Sequence, residues 1–441
     1  MSLSVAIVGS GPGGMYIAQA LLEKVPGVKI DVIERLPSPF GLIRGGVAPD
    51  HATTKNVARA FEKTLQKPGV RYLGNIEVGK TVSVADLEKI YDAVVLAYGA
   101  PFDNKLGIKG EEKKNVFGSN AFVGWYNCHP DFKDLNPDLN VESVAIIGVG
   151  NVAIDCARVL AKTPAEMAAT DLAPYANERI QRAPIKHIWM LGRRGPVEAA
   201  FTNVELREMA ELKNCAPEID LAQLPAEVKQ DGMSDRDFRL KQKNIETMRG
   251  FPNVPREGKA KRMHFAFFAS PVEVLGGERA EAIRMERTKV EGGRAVGTGE
   301  TFDVPCGLVI TCIGSRAEPI EGVPFDQRKG IVVHEKGRIR PGLYSAGWVK
   351  RGAIGTIGTN KTDADDVADL LVGETKPGGK PGPAGLDALL RSQGCRIVSF
   401  ADWQIINRLE VERATKPAPR VKFITCGDML SALESALAKA S

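Results

Sequence analysis

Residues 4–34 read SVAIVGSGPGGMYIAQALLEKVPGVKIDVIE, and this stretch decides the fold. The apolar run Val5–Val8 predicts a short strand, and Met15–Lys24 predicts a helix whose small residues face inward. Between them lies the glycine-rich turn Gly9–Gly14. A second strand, Lys29–Ile33, ends directly before an acidic residue. Strand, glycine-rich turn, helix and strand in this order predict a βαβ unit that binds a dinucleotide.

The residues of the turn have separate physical roles. Gly9 permits the tight turn, Gly11 lets the backbone approach a pyrophosphate, and Gly14 lets the helix pack closely on the strand. Pro12 and Gly13 complete the cofactor-binding loop. The helix that follows presents free N–H groups, which favour phosphate.

A second unit of the same kind begins at Val144, in the stretch SVAIIGVGNVAIDCARVLAK. Its turn has the pattern Gly148-x-Gly150-x-x-Ala153, with alanine at the third conserved position of the motif. A polar, proline-containing insertion at residues 163–184 precedes the next predicted strand, His187–Leu191.

The two units end differently, and the difference indicates two cofactors. Glu34 follows the last glycine of the first turn by 20 residues and is placed to accept hydrogen bonds from both hydroxyls of an adenosine ribose. The second unit has Arg193 and Arg194 at the equivalent place. Guanidinium groups bind a 2′-phosphate, which a carboxylate would repel. The sequence therefore predicts FAD in the first unit and NADP(H) in the second.

Three further apolar segments fit this organisation. Asp92–Ala100 and Gly307–Arg316 are predicted strands ending in glycine, at crossings between the units, and residues 341–347 form another strand entering a turn. A helix over Val367–Val372, with Thr362 as its N-cap, follows. The N-terminus of such a helix would stabilise the negative charge that a flavin gains at its N1–C2=O2 edge on reduction.

Composition excludes several classes of protein. The chain has 441 residues, 43% hydrophobic and 26% charged, which predicts a globular protein of two domains or lobes. The net charge of +5 is much smaller than the positive charge typical of a nucleic-acid-binding protein of this length. None of the seven cysteines forms a C-x-x-C pair, so we expect no metal or iron–sulfur site. No stretch approaches a membrane span, and the first strand begins too early for a signal peptide. We expect a cytoplasmic protein.

Five groups of motifs, in order along the chain, resemble those of adrenodoxin-reductase-like ferredoxin–NADP(+) reductases. They are Pro39–His51 (PFGLIRGGVAPDH), Phe122–Asn127 (FVGWYN), Gly150–Asp155 (GNVAID), Gly192–Pro196 (GRRGP) with Ala200–Thr202 and Glu205–Arg207, and Gly347–Gly352 (GWVKRG). The resemblance implies an α/β protein of two Rossmann-like dinucleotide-binding domains on a glutathione-reductase-like plan. A discontinuous FAD-binding domain, residues 1–104 and 317–441, would enclose an NADP-binding domain, residues 105–316. Residues 377–441 would pack on the FAD domain.

The resemblance also implies further site residues. His51, Asp155 and Glu205 would be the polar residues near the reacting centre, with His51 orienting groups or relaying a proton. The implied cofactor contacts are Leu42 and Val78 with FAD, Trp348, Gly355, Thr356 and Ile357 with the isoalloxazine, Asn151 and Val152 with the NADP pyrophosphate, and Glu205 within the NADP site. Hydride transfer between nicotinamide and flavin needs no protein base, so positioning and electrostatics dominate.

The implied partner is a small acidic ferredoxin, which receives electrons singly from the flavin after NADPH has reduced it. A basic surface would steer such a partner. The candidate residues are Arg207, Arg236, Arg239, Lys241 and Lys243. The stretch SDRDFRLKQK that holds most of them is equally well explained as a solvated helix face. We expect neither a nucleic-acid nor a membrane partner.

Other functions fit less well or remain open. A disulfide reductase needs a redox cysteine pair early in the chain, and the first cysteine is Cys128. A flavin monooxygenase motif would need a histidine one residue earlier than His129. An FAD- and NADP-binding redox sensor, and an NADPH oxidoreductase resembling the glutamate synthase small subunit, stay as alternatives. NADPH would not bleach the flavin of a sensor.

Overall fold

The computed structural model describes residues 2–440, which divide into two compact units. The first unit comprises residues 2–102, 127–133 and 314–440. The second comprises residues 103–126 and 134–313. The second unit is thus inserted into the first along the chain. Residues 127–133, which the sequence places inside the inserted domain, group with the first unit.

The chain up to the first crossing alternates strands and helices. The strands are β1 (Ser4–Val8), β2 (Lys29–Glu34), β3 (Val70–Gly74), β4 (Ala93–Leu96) and β5 (Phe102–Asp103), and the helices are α1 (Pro12–Lys24), α2 (Leu42–Gly45), α3 (Ala52–Lys55), α4 (Ala58–Leu65) and α5 (Val84–Ile90).

The second unit repeats this alternation and adds an antiparallel ribbon. Its strands are β6 (Val116–Gly118), β7 (Ser143–Ile147), β8 (His187–Leu191), β9 (Cys215–Ile219), β10 (Lys261–Ala266), β11 (Ala269–Leu275), β12 (Ala282–Glu291), β13 (Arg294–Pro305) and β14 (Leu308–Thr311). Its helices are α6 (Ser119–Tyr126), α7 (Asn151–Ala161), α8 (Pro164–Met167), α9 (Pro174–Arg182), α10 (Asn203–Glu211) and α11 (Asp235–Gly250).

The remainder of the chain returns to the first unit and ends in helices. The strands are β15 (Ser315–Arg316), β16 (Phe325–Asp326), β17 (Ile331–Val332), β18 (Arg338–Arg340) and β19 (Leu343–Ser345), and the helices are α12 (Trp348–Arg351), α13 (Thr359–Glu374), α14 (Pro383–Ser392), α15 (Phe400–Glu412) and α16 (Cys426–Ala440).

The main sheet of the first unit has the order β3–β2–β1–β4–β19–β18. Its neighbours are parallel except for the edge pair β18–β19. Alternate residues of β1 enter different cores: Val5 and Ile7 pack with α1 and α13, whereas Ala6 and Val8 pack with α5 and α14. Helices therefore cover both faces, and the strand order reverses between β1 and β4. In doubly wound sheets, ligands bind at this reversal, outside the carboxyl ends of the strands.

The main sheet of the second unit has the order β9–β10–β8–β7–β14–β6, and all its neighbours are parallel. Its order reverses between β7 and β14. The ribbon β11–β12–β13 is a separate antiparallel sheet, whose Ile283 and Met285 share a core with Ala145 and Ile147 of β7. Both units are Rossmann-like, which confirms the predicted fold class.

Several predicted boundaries are wrong. Helix α13 begins at Thr359, so Thr362 lies inside its first turn rather than at its N-cap. The apolar segment 307–316 is interrupted after Thr311 and forms two strands. The polar insertion at residues 163–184 does precede β8, and it contains helices α8 and α9, for which no prediction was made. Thr163 caps α8 through a capping box with Glu166, a local signal that the polar composition obscured.

Candidate active site

The turn after β1 is shaped by two glycines that the fold itself requires. Gly9 has φ +107, and a Cβ placed there would lie 2.5 Å from the carbonyl oxygen of Ala97, just after β4. A Cβ on Gly14 would lie 2.0 Å from the Gly9 carbonyl oxygen. Side chains at either position would push apart the strands and helix that meet at the reversal of the sheet.

Gly11 is different, because the protein leaves space beside it. The nearest atom to a Cβ at Gly11 is the Cα of Gly41, 4.0 Å away. Gly11 is the N-cap of α1, no described side chain caps that helix, and Pro12 fills its first turn. A glycine that no protein atom demands, at an uncapped helix N-terminus, leaves a cradle for a phosphate group. Gly13, by contrast, packs against Gly347, with 3.2 Å between the Gly347 Cα and a Cβ placed at Gly13.

The carboxylate of Glu34 is held in place at the end of β2. Its Oε2 accepts hydrogen bonds from the backbone N (3.1 Å) and hydroxyl (2.7 Å) of Ser10, and its Oε1 accepts from the N of Leu36 (3.2 Å). These bonds join the acidic residue to the glycine-rich turn. They leave the carboxylate beside the turn with acceptor capacity for further donors.

The segment after β2 lies against the same turn. The N of Phe40 donates to the hydroxyl of Ser10 at 3.1 Å, and Gly41, with φ +49, contacts Gly11. Leu42 follows as an apolar side chain that is 39% exposed. Val78 lies in the loop after β3 and packs against the core that contains Ala6 and Val8 of β1. The structure thus places Leu42 directly after the residue that contacts the glycine turn, and Val78 in the loop after β3.

Trp348 opens α12 next to the contact between Gly347 and Gly13. The N of Gly347 donates to Oδ2 of Asp363 at 2.7 Å, and Lys350 forms an ion pair with Oδ1 of the same carboxylate at 2.8 Å. The indole Nε1 of Trp348 is buried and has no hydrogen-bond partner among residues 2–440. A buried donor of this kind, beside a cradle for phosphate, indicates a site that an additional polar group completes.

Residues 355–357 form the exposed turn that leads into α13. Gly355 has φ +89, and the N of Thr356 donates to the hydroxyl of Thr359 at 3.1 Å. The first amides of α13 already donate to the carbonyl groups of residues 356–358. The helix N-terminus therefore contributes its dipole at this turn, while its first N–H groups are satisfied internally.

In the turn of the second unit, too, one glycine avoids a collision with the backbone and another faces open space. Gly148 has φ +133, and a Cβ there would lie 2.2 Å from the carbonyl oxygen of Cys312. Beside Gly150 the nearest atom would be the Cβ of Ala200, 4.0 Å away. Gly150 is also the N-cap of α7, which no described side chain caps. A second phosphate cradle therefore lies at the reversal of the second sheet.

Asn151 and Val152 occupy the first turn of α7. Oδ1 of Asn151 accepts a hydrogen bond from the N of Thr202 at 2.8 Å, and Val152 is 42% exposed. Thr202 is in turn the N-cap of α10. Asn151 therefore joins the glycine turn to α10, whereas Val152 faces the open side of the cradle.

Two of the predicted polar residues share one buried cation. Arg158 is fully buried; its Nη2 donates to Oδ1 of Asp155 at 2.7 Å, and its Nη1 donates to Oε2 of Glu205 at 3.1 Å. Glu208 approaches Nε at 3.5 Å. Neither Arg158 nor Glu208 was predicted from the sequence, although Asp155 and Arg158 are three residues apart on one helix face, a spacing that indicates a pair. His51 lies in the first unit, at the N-cap of α3.

Arg193 and Arg194 follow β8 at the carboxyl edge of the second sheet. Arg193 is exposed and Arg194 is half-buried, with its Nη1 3.5 Å from the carbonyl oxygen of Gly293 in the ribbon. Both guanidinium groups thus stand at the edge that also carries the Gly148–Gly150 turn, since Gly148 donates from its N to the Leu191 carbonyl oxygen at 2.9 Å.

Four of the five candidate docking residues line one groove, whereas Lys241 does not. Arg207, Arg236, Arg239 and Lys243 line an open groove of about 720 Å³ between α10 and α11. Lys241 does not belong to it: its ammonium group donates to the Ala199 carbonyl oxygen, and burial lowers the pKa of Lys241. On a helix, position 241 faces away from positions 236, 239 and 243, which explains the difference.

Comparison with known proteins identifies the family. The sequence profile of the pyridine nucleotide-disulphide oxidoreductases matches residues 3–189. The mitochondrial NADPH:adrenodoxin oxidoreductase of Homo sapiens is 40% identical over 97% of this chain and 91% of the human protein. The chain belongs to the NADPH:adrenodoxin oxidoreductase family. The NADPH-ferredoxin reductase FprA of Mycobacterium tuberculosis is 39% identical over 97% of this chain and 98% of its own length.

Solved structures agree with membership of the adrenodoxin oxidoreductase family. The structure of Mycobacterium tuberculosis FprA in complex with NADPH has a TM-score of 0.90, at 37% identity, and covers 98% of this chain and all of that one. Across residues 2–440 of this family member, every helix is too short or too polar to cross a membrane.

Proposed function

We propose that this chain is an NADPH–ferredoxin reductase that binds FAD in the first unit and NADP(H) in the second. The observation that supports it best is the repeated cradle. In both units the middle glycine of the turn, Gly11 or Gly150, faces open space at an uncapped helix N-terminus. The human and mycobacterial relatives are reductases by name, and one relative's structure holds NADPH.

The residues of the first unit fit FAD. Gly9–Gly14 would hold the pyrophosphate, and Glu34, fixed by Ser10, would accept the ribose hydroxyls. Leu42 and Val78 would contribute apolar contacts. Gly355–Ile357 and Trp348 would lie against the isoalloxazine. The Nε1 of Trp348, which has no hydrogen-bond partner among residues 2–440, would donate to an acceptor on the cofactor. When bound, FAD accepts two electrons as a hydride and releases them one at a time.

The residues of the second unit fit NADP(H). Gly150, Asn151 and Val152 would hold the pyrophosphate, and Arg193 with Arg194 would pair with the 2′-phosphate. Arg158 fixes Asp155 and Glu205 in one orientation through its hydrogen bonds to both carboxylates. Glu205, which is only partly buried, would lie in the NADP site. His51, Asp155 and Glu205 would orient polar groups around the reacting atoms, and no side chain needs to abstract a proton.

The groove between α10 and α11 is the proposed docking site for an acidic ferredoxin. Four cationic side chains line it, and the apolar Val204, 60% exposed, lies among them. A cationic surface around an apolar patch is typical of a transient electron-transfer interface, because charges speed the encounter and the apolar contact orients the partner.

Anaerobic stopped-flow reduction tests the proposal. We expect NADPH to bleach the flavin absorbance of the purified protein rapidly, NADH to do so slowly, and added ferredoxin to reoxidise it. Arg193→Ala with Arg194→Ala should remove the preference for NADPH and leave flavin content unchanged. The matched control Arg182→Ala changes an exposed arginine of α9.

Three outcomes contradict parts of this proposal. Absence of bleaching by NADPH would favour the redox sensor. Equal rates with NADH and NADPH would show that the arginine turn does not read the 2′-phosphate. Bleaching without transfer to any ferredoxin would favour an oxidoreductase with another acceptor.

A further inference from the structure

The turn that carries Arg193 and Arg194 is held through three consecutive backbone carbonyl groups. The carbonyl oxygen of Gly192 accepts from the N of Ala269 at 3.0 Å, and that of Arg194 accepts from the N of Phe268 at 3.1 Å. Between them, the carbonyl oxygen of Arg193 accepts from a side chain, the hydroxyl of Thr288, at 2.7 Å. Residues 192–194 are thus fixed from outside, by the start of β11 and by β12.

Thr288 reaches the turn because the ribbon is irregular at this point. The pairing of β12 with β13 passes from Glu286–Thr301 to Thr288–Gly297, so β13 advances four residues while β12 advances two. Before this point the buried residues of β12 are Ile283 and Met285, at odd positions, and after it Thr288 is buried. A regular strand would leave position 288 on the exposed side, so the bulge turns its hydroxyl inward.

Phe268 bonds both to the arginine turn and to Thr288. Its N donates to Arg194, its carbonyl oxygen accepts from the N of Thr288 at 2.8 Å, and its φ is +55. This left-handed conformation is strained for an aromatic residue, and such strain persists where the surroundings impose it. The ring also covers Gly195, where a Cβ would lie 2.7 Å from its Cζ.

We propose that Thr288 determines nucleotide specificity as a positioning residue: its hydroxyl fixes the Arg193 peptide and so holds both arginines ready for the 2′-phosphate of NADP. A peptide whose carbonyl is bonded cannot rotate freely, so less conformational entropy is lost when the guanidinium groups bind. Thr288 itself does not contact the nucleotide. This inference rests on the proposed function in one respect, that the arginine turn binds the 2′-phosphate.

The test compares the affinities of the FAD-loaded variants for NADP⁺ and NAD⁺ by isothermal titration calorimetry. Thr288→Val keeps the shape of the side chain and removes the donor, so we expect about fivefold to tenfold weaker binding of NADP⁺. The affinity for NAD⁺ should change less than twofold, because NAD⁺ has no 2′-phosphate. In steady-state assays the KM for NADPH should rise while kcat stays the same.

Two further variants separate positioning from general stability. Thr288→Ser keeps the hydroxyl and should bind NADP⁺ like the wild type. Thr170→Val removes another buried hydroxyl-to-carbonyl bond of the second unit, from Thr170 to the Met167 carbonyl oxygen at 2.8 Å, away from the ribbon, and should leave the ratio of affinities unchanged.

The inference is overturned if Thr288→Val binds NADP⁺ as the wild type does, or if it loses affinity for both nucleotides equally. If the wild type has no preference for NADP⁺, the proposed nucleotide specificity fails, and the role of Thr288 fails with it. If the wild type prefers NADP⁺, Arg193→Ala with Arg194→Ala abolishes the preference, and Thr288→Val retains it, only the role of Thr288 is wrong.

Discussion

At the scale of single residues, the two glycine-rich turns contain glycines of two kinds. Gly9, Gly14 and Gly148 avoid collisions with the backbone of the protein, so they serve the fold. A Cβ at Gly11 or Gly150 would meet no atom closer than 4.0 Å, which is why we propose that these two serve a ligand. The motif predicts where all of them stand, because the chemistry of a tight turn is local. The motif also predicts the role of each glycine in the first turn. The structure adds the atoms that a side chain would meet, some of which come from distant segments such as Ala97 and Cys312.

The difference between the two kinds of glycine predicts that alanine substitutions at Gly11 and Gly14 affect different properties. Gly11→Ala should reduce the FAD content and weaken FAD binding to the apoprotein at least tenfold, because the methyl group fills the phosphate cradle. Its effect on the free energy of unfolding of the apoprotein should stay within about 0.5 kcal/mol. Gly14→Ala should lower that free energy by about 1–3 kcal/mol, because its Cβ collides with Gly9. Flavin absorbance and urea unfolding measure both effects, and similar destabilisation by the two would contradict the distinction.

His129 gives the first unit a dependence on pH. Burial lowers the pKa of His129 to about 4, and its Nδ1 accepts a hydrogen bond from the N of Asp131 at 3.3 Å. That bond requires an unprotonated Nδ1. The ring also packs on Gly45, where a Cβ would lie 2.9 Å from its Cδ2. The folded protein therefore holds a neutral imidazole.

The sign of the pH effect follows from the direction of this shift. The imidazole of the unfolded chain takes up a proton near pH 6.5, whereas that of the folded chain stays neutral down to about pH 4. Acid therefore favours the unfolded state between these values, and His129 should cost about 2 kcal/mol of stability between pH 7 and pH 5. In His129→Gln the decline in unfolding free energy over this range should be smaller by that amount. Parallel pH profiles of the two proteins would refute the assignment.

At the scale of elements, the predictions succeeded where the signal is local. Strand β8 has the bounds that the sequence indicates, His187–Leu191, because an apolar run bounded by polar residues defines a buried strand. Helix α13 starts at Thr359, eight residues before the predicted helix, because its first turns carry polar residues whose burial depends on other segments. Asp363, for example, is buried, and its carboxylate accepts hydrogen bonds from the N of Gly347 and the ammonium group of Lys350.

The C-terminal segment forms long-range contacts with α2, near the glycine-rich turn of the first unit. The carboxylate of Glu410, in α15, is fully buried and accepts two hydrogen bonds from Arg44, at 2.5 and 2.8 Å. It also accepts from the N of Phe423 at 2.9 Å, and Lys422 donates to the Arg44 carbonyl oxygen at 3.0 Å. Arg44 belongs to α2, which follows the segment beside the glycine turn. The C-terminal segment therefore fixes the segment that would border FAD.

Glu410→Gln should lower the free energy of unfolding by about 3 kcal/mol, because it removes the fully buried negative charge that pairs with Arg44. The matched control is Asp369→Asn, which breaks the ion pair with Lys24, at 2.6 Å, on the surface of the same unit. Since Asp369 is 66% exposed, its loss should cost at most about 1 kcal/mol. Urea unfolding compares the two variants, and equal costs would contradict the role given to burial.

At the scale of the whole molecule, the duplicated βαβ pattern was sufficient to predict two Rossmann-like units. The ends of the second strands, acidic in one unit and basic in the other, were sufficient to predict a different nucleotide for each. The bond from Arg158 to Glu205 and the role proposed for Thr288 could not be predicted, for one physical reason. Each residue acts through partners distant in sequence: Arg158 through Glu205, and Thr288 through a bulge whose register depends on both strands. Periodicity does not encode such contacts.

The basic groove of the second unit leads to the last prediction, which concerns association with a partner. Arg236 and Arg239 stand one helical turn apart on the exposed face of α11. Replacing both by Glu should raise the KM for an acidic ferredoxin at least tenfold. The two positive charges would attract such a partner, and the two negative charges that replace them would repel it. NADPH-dependent reduction of a small, uncharged quinone should continue at the wild-type rate, since this acceptor needs no protein interface.

The salt dependence of the ferredoxin rate provides a second readout of the same variant. The wild-type rate should fall as ionic strength rises, because salt screens the attraction, whereas the rate of the double variant should stay constant or rise. Arg182→Glu removes one positive charge and adds one negative charge on α9, and serves as the control for net charge. If that control lowers the ferredoxin rate as much per changed residue as the groove variant does, overall charge rather than the groove directs the partner.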